Sequence, residues 1–461
     1  MKSEKGLSLQ ELIQQLCERV GSQEGAAKAE ELKADPRFQK LIEALLEGGE
    51  RSDVEREARD KGTRGQGDKE TRRQGDPLPI SLSPHPPIPP SPPRRLAVFY
   101  SPEHEGHISD EYPVEAPQRV EAILSTLRQK RLLDEPSCTL QVASPATTED
   151  LTTVHRQAYV DFVRRYAAKG GGGLSRNTYV ARGSWEAALG AAGCALAAGE
   201  ALRQGYDFAW ALTRPAGHHA GPDFHGGFCL FNNAAILAHR LREEGKVMVL
   251  NWDVHASNGT KRIFYGDPQV LTVSLHQDPT HFFPREGFAE EIGAGAGKGY
   301  SVNVPLPPGS GDERYLAAFA AIVEPIFRQF APDWLIVECG FDAHHQDPLG
   351  GQKLTSQGYY QMAERLLGLR PTGIVFTLEG GYNVNTIGPL ASTLVCALLG
   401  EANSFPDELP REAMGRGDAL SYSLVKGMKG VGEKRSPGGV SLEKVIQEVR
   451  QALRGHWQLL V

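Results

Sequence analysis

Four short polar clusters each follow an apolar, strand-like run, and together they carry residue types that bind metals and move protons. Asp253 and His255 stand two residues apart at the end of one run, so both side chains point to the same side. A carboxylate beside an imidazole suits a divalent metal, and Asp342, after another run, could supply a third ligand. An isolated Asp-x-His is more often a salt-bridged loop. The coincidence of four clusters favours a catalytic metal site with three protein ligands and an open position.

The other two clusters supply groups that could handle protons and developing charge. His218 and His219 follow Gly217 in a loop, and two adjacent imidazoles near a metal could take a proton from water and give one to a leaving amine. Tyr382 follows two glycines, which would let its backbone approach closely, and its phenol could hydrogen-bond an oxyanion. Taken singly, either histidine could simply be a solvated loop residue, and Tyr382 could be an aromatic residue of a turn.

The sequence around these clusters predicts a scaffold that would bring the strand ends together. Strand-like and helical patterns alternate, which predicts an α/β fold with a mostly parallel β-sheet sandwiched by helices. In such sheets ligands bind outside the carboxyl ends of the strands, where the clusters stand. The strand-like runs lie at 96–100, 208–212, 247–252, 270–275, 334–337 and 374–378, and the helical patterns at 185–202, 232–243, 312–330, 356–367 and 386–399.

The 461 residues carry a net charge of −7, and this charge is unevenly distributed. The first 95 residues hold equal numbers of acidic and basic side chains, so the negative charge belongs to the remainder. A mildly acidic chain disfavours direct nucleic-acid binding. The six cysteines include no C-x-x-C pair, there is no membrane-spanning apolar run, and the charged start lacks a signal core. We therefore expect a cytoplasmic protein without a membrane partner.

Three segments are predicted from the change of pattern along the chain. Residues 1–49 contain a capping box at Ser8–Glu11 and two apolar stripes at helical spacing, so a short helical segment is expected. Residues 50–93 contain a tandem eight-residue repeat and then nine prolines, which predicts a disordered repeat and Pro-rich linker. Residues 94–461 would form the catalytic domain.

Signatures of nucleotide binding and of serine hydrolysis are missing from the sequence. The glycine-rich run at 293–299 fails as a phosphate loop because Gly299, rather than Ser or Thr, follows Lys298. The run also fails the G-x-G-x-x-G pattern of dinucleotide binding. No G-x-S-x-G nucleophile elbow occurs, so serine hydrolysis is not supported.

Taken together, the clusters resemble those of the histone deacetylase family, including bacterial deacetylase-like amidohydrolases and acetylpolyamine amidohydrolases. The resemblance covers about residues 96–400 in family order. It implies the arginase/deacetylase α/β fold and zinc-dependent hydrolysis of an amide. The motifs that carry it are Arg214-Pro-Ala-Gly-His-His-Ala220, Gly227-Phe-Cys-Leu-Phe-Asn-Asn233, Asp253-Val-His255, Asn258-Gly-Thr260, Gly340-Phe-Asp-Ala-His344, Asp347-Pro-Leu-Gly-Gly351, Glu379-Gly-Gly-Tyr382 and, more weakly, Glu115-Ala-Pro-Gln-Arg119.

The resemblance also implies a role for each matching residue. The expected metal is Zn²⁺, with Fe²⁺ as the alternative in cells, and a structural K⁺ is expected behind it. The metal ligands would be Asp253, His255 and Asp342. His218 and His219 would handle protons, and Tyr382 would stabilise the oxyanion. A channel for the acyl-amine stem would be lined by Gly227, Phe228 and Phe283, and Ser274 and Leu275 occupy the potassium motif.

The sequence departs from the family pattern next to the metal. Asn251 and Asn258 are expected to support the catalytic groups, but position 251 is usually an Asp that orients a catalytic His. An amide cannot supply that negative charge, so His218 is expected to be less basic. Ala256 stands where the family usually has a second His.

Three hypotheses about function follow. The first is an active zinc deacetylase acting on an acylated lysine or an acetylpolyamine. The second, motivated by Asn251 and Ala256, is a catalytically weakened protein that binds acyl-amines or partners. The third is a two-metal ureohydrolase-like enzyme, which needs more carboxylate ligands than the sequence displays. Leu349 offers no acidic selection device for a polyamine, and the sequence leaves homo-oligomerisation open.

Overall fold

The computed structural model describes residues 94–133, 137–369, 371–407, 409 and 440–459. All of these belong to the unit Pro89–Val461. The predicted helical segment at 1–49 and the linker at 50–93 lie outside the described residues. No helix in the described ranges is long and apolar enough to cross a membrane.

A central eight-stranded sheet organises the domain, and every neighbouring pair of its strands is parallel. Its spatial order is β2-β1-β5-β10-β9-β6-β7-β8, and a separate antiparallel ribbon pairs β3 with β4. The strands are β1 Leu96–Tyr100, β2 Cys138–Val142, β3 Gly172–Ser175, β4 Thr178–Val180, β5 Phe208–Ala211, β6 Val247–Asn251, β7 Val270–Gln277, β8 Ser301–Leu306, β9 Trp334–Cys339 and β10 Ile374–Leu378.

Helices cover both faces of this sheet, as the alternating pattern predicts. The helical pattern at 312–330 forms two α-helices joined by a π-helical turn at Phe319–Val323. The described helices are α1 Gln118–Gln129, α2 Thr148–Thr152, α3 Gln157–Ala168, α4 Ser184–Arg203, α5 Asn233–Leu241, α6 Asn258–Phe264, α7 Asp312–Ala318, α8 Glu324–Phe330, α9 Ser356–Gly368, α10 Val384–Leu399 and α11 Leu442–Ala452.

Two apolar cores lie on the two faces of the sheet, because successive side chains of a strand point to opposite faces. In β1, Leu96 and Val98 join the core covered by α1, α9 and α10, whereas Ala97 and Phe99 join the core covered by α3, α4 and α5. Strands buried on both faces read as continuous apolar runs, which is why the central strands were predictable. The structure confirms the predicted fold class of a parallel sheet between helices.

Candidate metal centre and catalytic site

The four polar clusters follow four strands that are adjacent in the sheet, β5, β10, β9 and β6. Because these strands are parallel, their carboxyl ends meet at one edge, and the loops that follow them share the same space. The sequence order does not reveal this adjacency, since β10 lies between β5 and β9. The sheet therefore brings together groups that are more than a hundred residues apart along the chain.

Three predicted metal ligands converge at this edge. Nδ1 of His255 lies 3.0 Å from Oδ1 of Asp253 and 3.1 Å from Oδ2 of Asp342. Both carboxylates are fully buried. Two carboxylate oxygens and one imidazole nitrogen at these separations suit tetrahedral Zn²⁺ with one coordination position left for water or substrate. The donor set therefore fits a catalytic divalent metal.

Backbone N–H groups fix the orientation of both carboxylates. Gly380 N–H donates to Oδ2 of Asp253 at 2.7 Å, and Val254 N–H donates to Oδ1 of Asp342 at 2.9 Å. A Cβ at position 380 would lie 2.0 Å from Oδ2 of Asp342, so only glycine allows this close approach. The remaining oxygens, Oδ1 of Asp253 and Oδ2 of Asp342, face Nδ1 of His255.

The pKa shifts of these residues indicate that the two carboxylates favour a positive charge between them. Burial, together with the neighbouring Asp253, raises the pKa of Asp342. Burial opposes a charged imidazole, yet the hydrogen bonds to the two carboxylates raise the pKa of His255 to about 10. A proton is thus held where two buried carboxylates meet. A divalent cation would replace this proton and neutralise more of their charge.

The two adjacent histidines are buried beside this centre, in contrast to a solvated loop. Their rings are tilted by 45° to each other, with centroids 3.9 Å apart. Nδ1 of His218 lies 3.2 Å from Oδ1 of Asn251, and Nδ1 of His219 lies 2.7 Å from Oδ1 of Asn258. If each Nδ1–H donates to its amide oxygen, Nε2 of each ring keeps a lone pair. Burial lowers the pKa of both histidines, so both rings favour the neutral form.

Aromatic rings stand around the histidines and the metal ligands. Phe283 contacts the His219 ring with centroids 4.8 Å apart, and Phe228 contacts Tyr382 at 5.6 Å. Gly227 has φ +48°, and a Cβ there would lie 2.1 Å from the His219 ring. The structure thus groups the predicted channel residues with His219 and Tyr382. Sequence reasoning missed Tyr112, whose ring meets Phe228 edge-on at 6.0 Å.

Two buried residues hold the segment that carries Tyr382, and neither had a role in the sequence analysis. Arg119 donates from Nε to the Gly381 carbonyl at 2.6 Å, and its guanidinium lies 4.7 Å from the Tyr382 ring centroid. Asp347 accepts the backbone N–H of Tyr382 at 2.6 Å. Burial, with the charge of Asp342, raises the pKa of Asp347 to about 8. The family motifs contain both residues, but a motif does not show which atoms they reach.

A second buried charge cluster, which sequence reasoning also missed, lies behind this segment. Oε2 of Glu115 accepts hydrogen bonds from Arg214 and from the Tyr179 hydroxyl, both at 2.9 Å. Oε1 lies 3.5 Å from Nη1 of Arg119, and His107 lies 3.5 Å from the same carboxylate. Glu115 is only 1% exposed. Arg119 therefore connects this cluster to the carbonyls around Tyr382.

The two potassium-motif residues differ in position. Ser274 stands opposite Asn251 in the β6–β7 register, and its hydroxyl lies 3.0 Å from Nδ2 of Asn251. The Leu275 side chain packs in the apolar core with α7 to α11. Of these two side chains, that of Ser274 therefore faces Asn251.

Comparison with known proteins places this architecture in a family. The family described as "Histone deacetylase domain" matches residues 113–398. The chain belongs to the histone deacetylase family. This assignment and the α/β fold confirm the prediction made from the motifs. Membership supports hydrolase activity of the deacetylase type.

Curated relatives and solved structures agree with the family assignment. The "Probable deacetylase" of Archaeoglobus fulgidus is 36% identical over 306 residues, which is 64% of this chain and 84% of the relative. The "Histone deacetylase-like amidohydrolase" of Pseudomonas aeruginosa is 40% identical over 271 residues, or 56% of this chain and 70% of that protein. The crystal structure of the HDA15 HD domain superposes with a TM-score of 0.67 and 32% identity, covering 79% of this chain and 95% of that one.

Proposed function

We propose that this chain is a zinc-dependent amidohydrolase that removes an acetyl or related acyl group from an acylated amine. The observation that carries the proposal is the convergence of two carboxylate oxygens and Nδ1 of His255 within 3.1 Å, beside two neutral buried histidines. A metal held by Asp253, His255 and Asp342 would polarise the acyl carbonyl and lower the pKa of a water molecule. Proton transfer and stabilisation of the oxyanion would be carried out by side chains of the protein.

Proton transfer is assigned to His218 and His219. Hydrolysis adds water to the acyl carbon, breaks the C–N bond, and yields a carboxylate and an amine. The water must lose a proton as it attacks, and the leaving nitrogen must gain one. Neutral imidazoles whose Nδ1 is tied to Asn251 and Asn258 present Nε2 as the proton-accepting atom. Their burial keeps these lone pairs free at neutral pH.

Tyr382 is assigned to stabilise the oxyanion of the tetrahedral intermediate. Burial raises the pKa of its hydroxyl well above the usual value, so the phenol keeps its proton and can donate a hydrogen bond. Arg119 and Asp347 hold the backbone on either side of it. A donor fixed in advance stabilises developing charge without the cost of reorganisation.

The acylated amine is proposed to enter between aromatic rings. Phe228 and Phe283 would flank an aliphatic stem, and the Gly227 carbonyl would accept the amide N–H. Such a slot suits an unbranched alkyl amine such as the side chain of an acylated lysine or one arm of an acylpolyamine. Leu349 offers no charge that would select the polyamine. The net negative charge of the domain favours the approach of a lysine-rich peptide or of a polyamine with free amino groups, an effect weakened by salt.

A weakened catalyst is the second candidate, and Asn251 is the observation that favours it. The amide beside His218 does not stabilise an imidazolium as a carboxylate would. Such a protein would bind zinc and acyl-amines and turn them over slowly. Asn251→Asp would then raise kcat, whereas a full-rate enzyme already adapted to Asn251 would gain nothing.

The test is acetate release by the zinc-loaded protein from an acetyl-lysine peptide and from acetylputrescine, with Asp342→Asn as the inactive control. We expect turnover on at least one substrate, which the control abolishes. If zinc is bound and neither substrate is hydrolysed, the catalytic proposal is wrong and the binding candidate gains support. Two tightly bound zinc ions per chain would instead support the ureohydrolase-like alternative.

A further inference from the structure

The side chain of Asn251 occupies a position that faces three oxygen atoms behind the metal centre. Its Nδ2 lies 3.0 Å from the His255 carbonyl, 3.3 Å from the Asp253 carbonyl and 3.0 Å from the Ser274 hydroxyl. Asn251 is buried. Converging carbonyl and hydroxyl oxygens need a partner when they are removed from water, and that partner is either a donor or a cation. Here the amide supplies the donor.

The direction of the amide follows from the chemistry of these partners. Backbone carbonyls can only accept, so Nδ2 must face Asp253 and His255, and Oδ1 must face His218. Rotating the amide by half a turn would press Oδ1 against two carbonyl oxygens. It would also direct Nδ2 at Nδ1 of His218, the atom that now lies 3.2 Å from Oδ1. The observed orientation satisfies both ends of the amide.

We propose that the amide of Asn251 takes the place of the monovalent cation expected behind the metal, so that this chain binds no K⁺ there. An Asp at position 251 with a K⁺ carries no net charge, and neither does a single Asn. The substitution therefore keeps the electrostatic balance while replacing the ion with N–H donors. The residues present do not fit a potassium ion unless the amide turns away.

The same orientation makes Asn251 a positioning residue for His218. With Oδ1 accepting from Nδ1–H, the Nε2 atom of His218 keeps its lone pair. A cation among the three oxygens would attract Oδ1 and turn Nδ2 towards Nδ1, and Nε2 would then carry the hydrogen. Cation binding and a proton-accepting Nε2 thus exclude each other in this chain. K⁺ should not stimulate the wild-type protein.

The test counts ions directly, with Tl⁺ as the probe for a K⁺ site. Zinc-loaded full-length wild type, Asn251→Asp and Asn258→Asp are dialysed against Tl⁺, and bound thallium is measured by mass spectrometry. Asn258→Asp is the matched control, because it places the same new charge beside the other histidine. We expect Asn251→Asp to bind one more Tl⁺ per chain than wild type, and Asn258→Asp to match wild type. Equal counts in wild type and Asn251→Asp, or an equal gain in the control, overturn the proposal.

Thermal unfolding gives an independent readout. KCl replaces choline chloride at constant ionic strength. The unfolding midpoint of Asn251→Asp should rise by on the order of 2 °C when K⁺ reaches about ten times its dissociation constant, while wild type should not shift. If the variant does not fold, anomalous scattering from Tl⁺-soaked wild-type crystals decides, since a peak between the Asp253 and His255 carbonyls contradicts the proposal. Neither readout requires turnover, so failure here is separate from failure of the proposed activity.

Discussion

Two of the buried carboxylate clusters in the described part of the domain balance their charge differently. Although burial opposes the ionisation of Glu115, Arg214 and the groups around it lower its pKa. Asp342 lies instead beside a second carboxylate, and burial together with Asp253 raises its pKa. The first cluster contains its own cations in two arginines. In the second, the imidazole of His255 lies between the two acids, and Nε2 of His218 lies 3.8 Å from Asp253.

This difference separates a cluster whose charge is balanced by the chain itself from one that fits a bound metal. Buried charges persist only when they are paired, and Glu115 is paired by groups of the chain itself. The pair Asp253 and Asp342 captures a proton on His255, whose pKa rises to about 10. Two buried carboxylates that face one imidazole fit a bound cation. The comparison predicts opposite effects when one acid of each cluster is neutralised.

Asp342→Asn should have the largest effect on activity and little effect on the metal-free fold. Loss of a ligand should reduce turnover by more than the roughly 100-fold that follows loss of a supporting partner of a metal ligand. Removing one of two like charges should leave the unfolding midpoint of the chelated protein equal to wild type or above it. Bound zinc, acetate release and thermal unfolding are the measurements. A variant that keeps zinc and turnover would contradict the metal assignment.

Glu115→Gln should show the reverse pattern. It leaves two buried arginines without their acid, which costs about 3–5 kcal/mol in free energy of unfolding. The measurement is urea unfolding of the zinc-loaded protein, with Glu121→Gln as a control because Glu121 is exposed on α1, the helix that begins shortly after Glu115. If Glu115→Gln is no less stable than the control, Glu115 does not balance the arginine charges as described.

Tyr382→Phe tests the catalytic role of the hydroxyl without changing the charge near the proposed metal ligands. Removing one oxyanion donor should lower kcat by about 10²–10³ while zinc stoichiometry stays unchanged. The phenol is neutral, so neither cluster loses charge. A parallel fall in bound zinc would show that the hydroxyl supports the metal site rather than the intermediate.

The smallest expected effect is on the stability of the fold at low pH. His155, which belongs to neither cluster, allows it to be tested. Its Nδ1 bonds the Gly221 carbonyl and its Nε2 accepts from Asn232 N–H, and burial lowers its pKa to about 4. The unfolded chain, with a histidine pKa near 6.5, takes up protons first as the pH falls. Stability should therefore be complete above pH 6.5 and decline towards pH 4.

His155→Gln can keep both hydrogen bonds of the ring without titrating. Urea midpoints measured with chelator from pH 7.5 to 4.5 should fall less steeply for this variant than for wild type. Chelator is needed because metal release is itself pH-dependent. Identical slopes would show that His155 is not held neutral in the folded state.

Much of the site could be predicted because its residues are local to strand ends. The proposed ligand pair Asp253 and His255 lies within three residues of sequence, and the two histidines are adjacent. The central strands could be predicted equally well, because burial on both faces makes them continuous apolar runs. The motifs at 214–220 and 379–382 were recognisable because the residues of each motif are also adjacent in the sequence.

What escaped prediction depends on contacts between distant residues. Arg119 reaches the Gly381 carbonyl across 262 positions, and Arg214 reaches Glu115 across 99. No local pattern encodes such pairs. The edge strands β2 and β8 were also missed, because β2 is only partly buried and β8 contains Asn303 and Pro305.

The most direct test of the central claim is a titration of metal-free protein with zinc while acetate release from an acetyl-lysine peptide and acetylputrescine is measured. A single catalytic site built from Asp253, His255 and Asp342 predicts that activity rises linearly and reaches a plateau at one zinc per chain. A plateau at two equivalents, or no acetate release from either substrate at one tightly bound zinc, would contradict it.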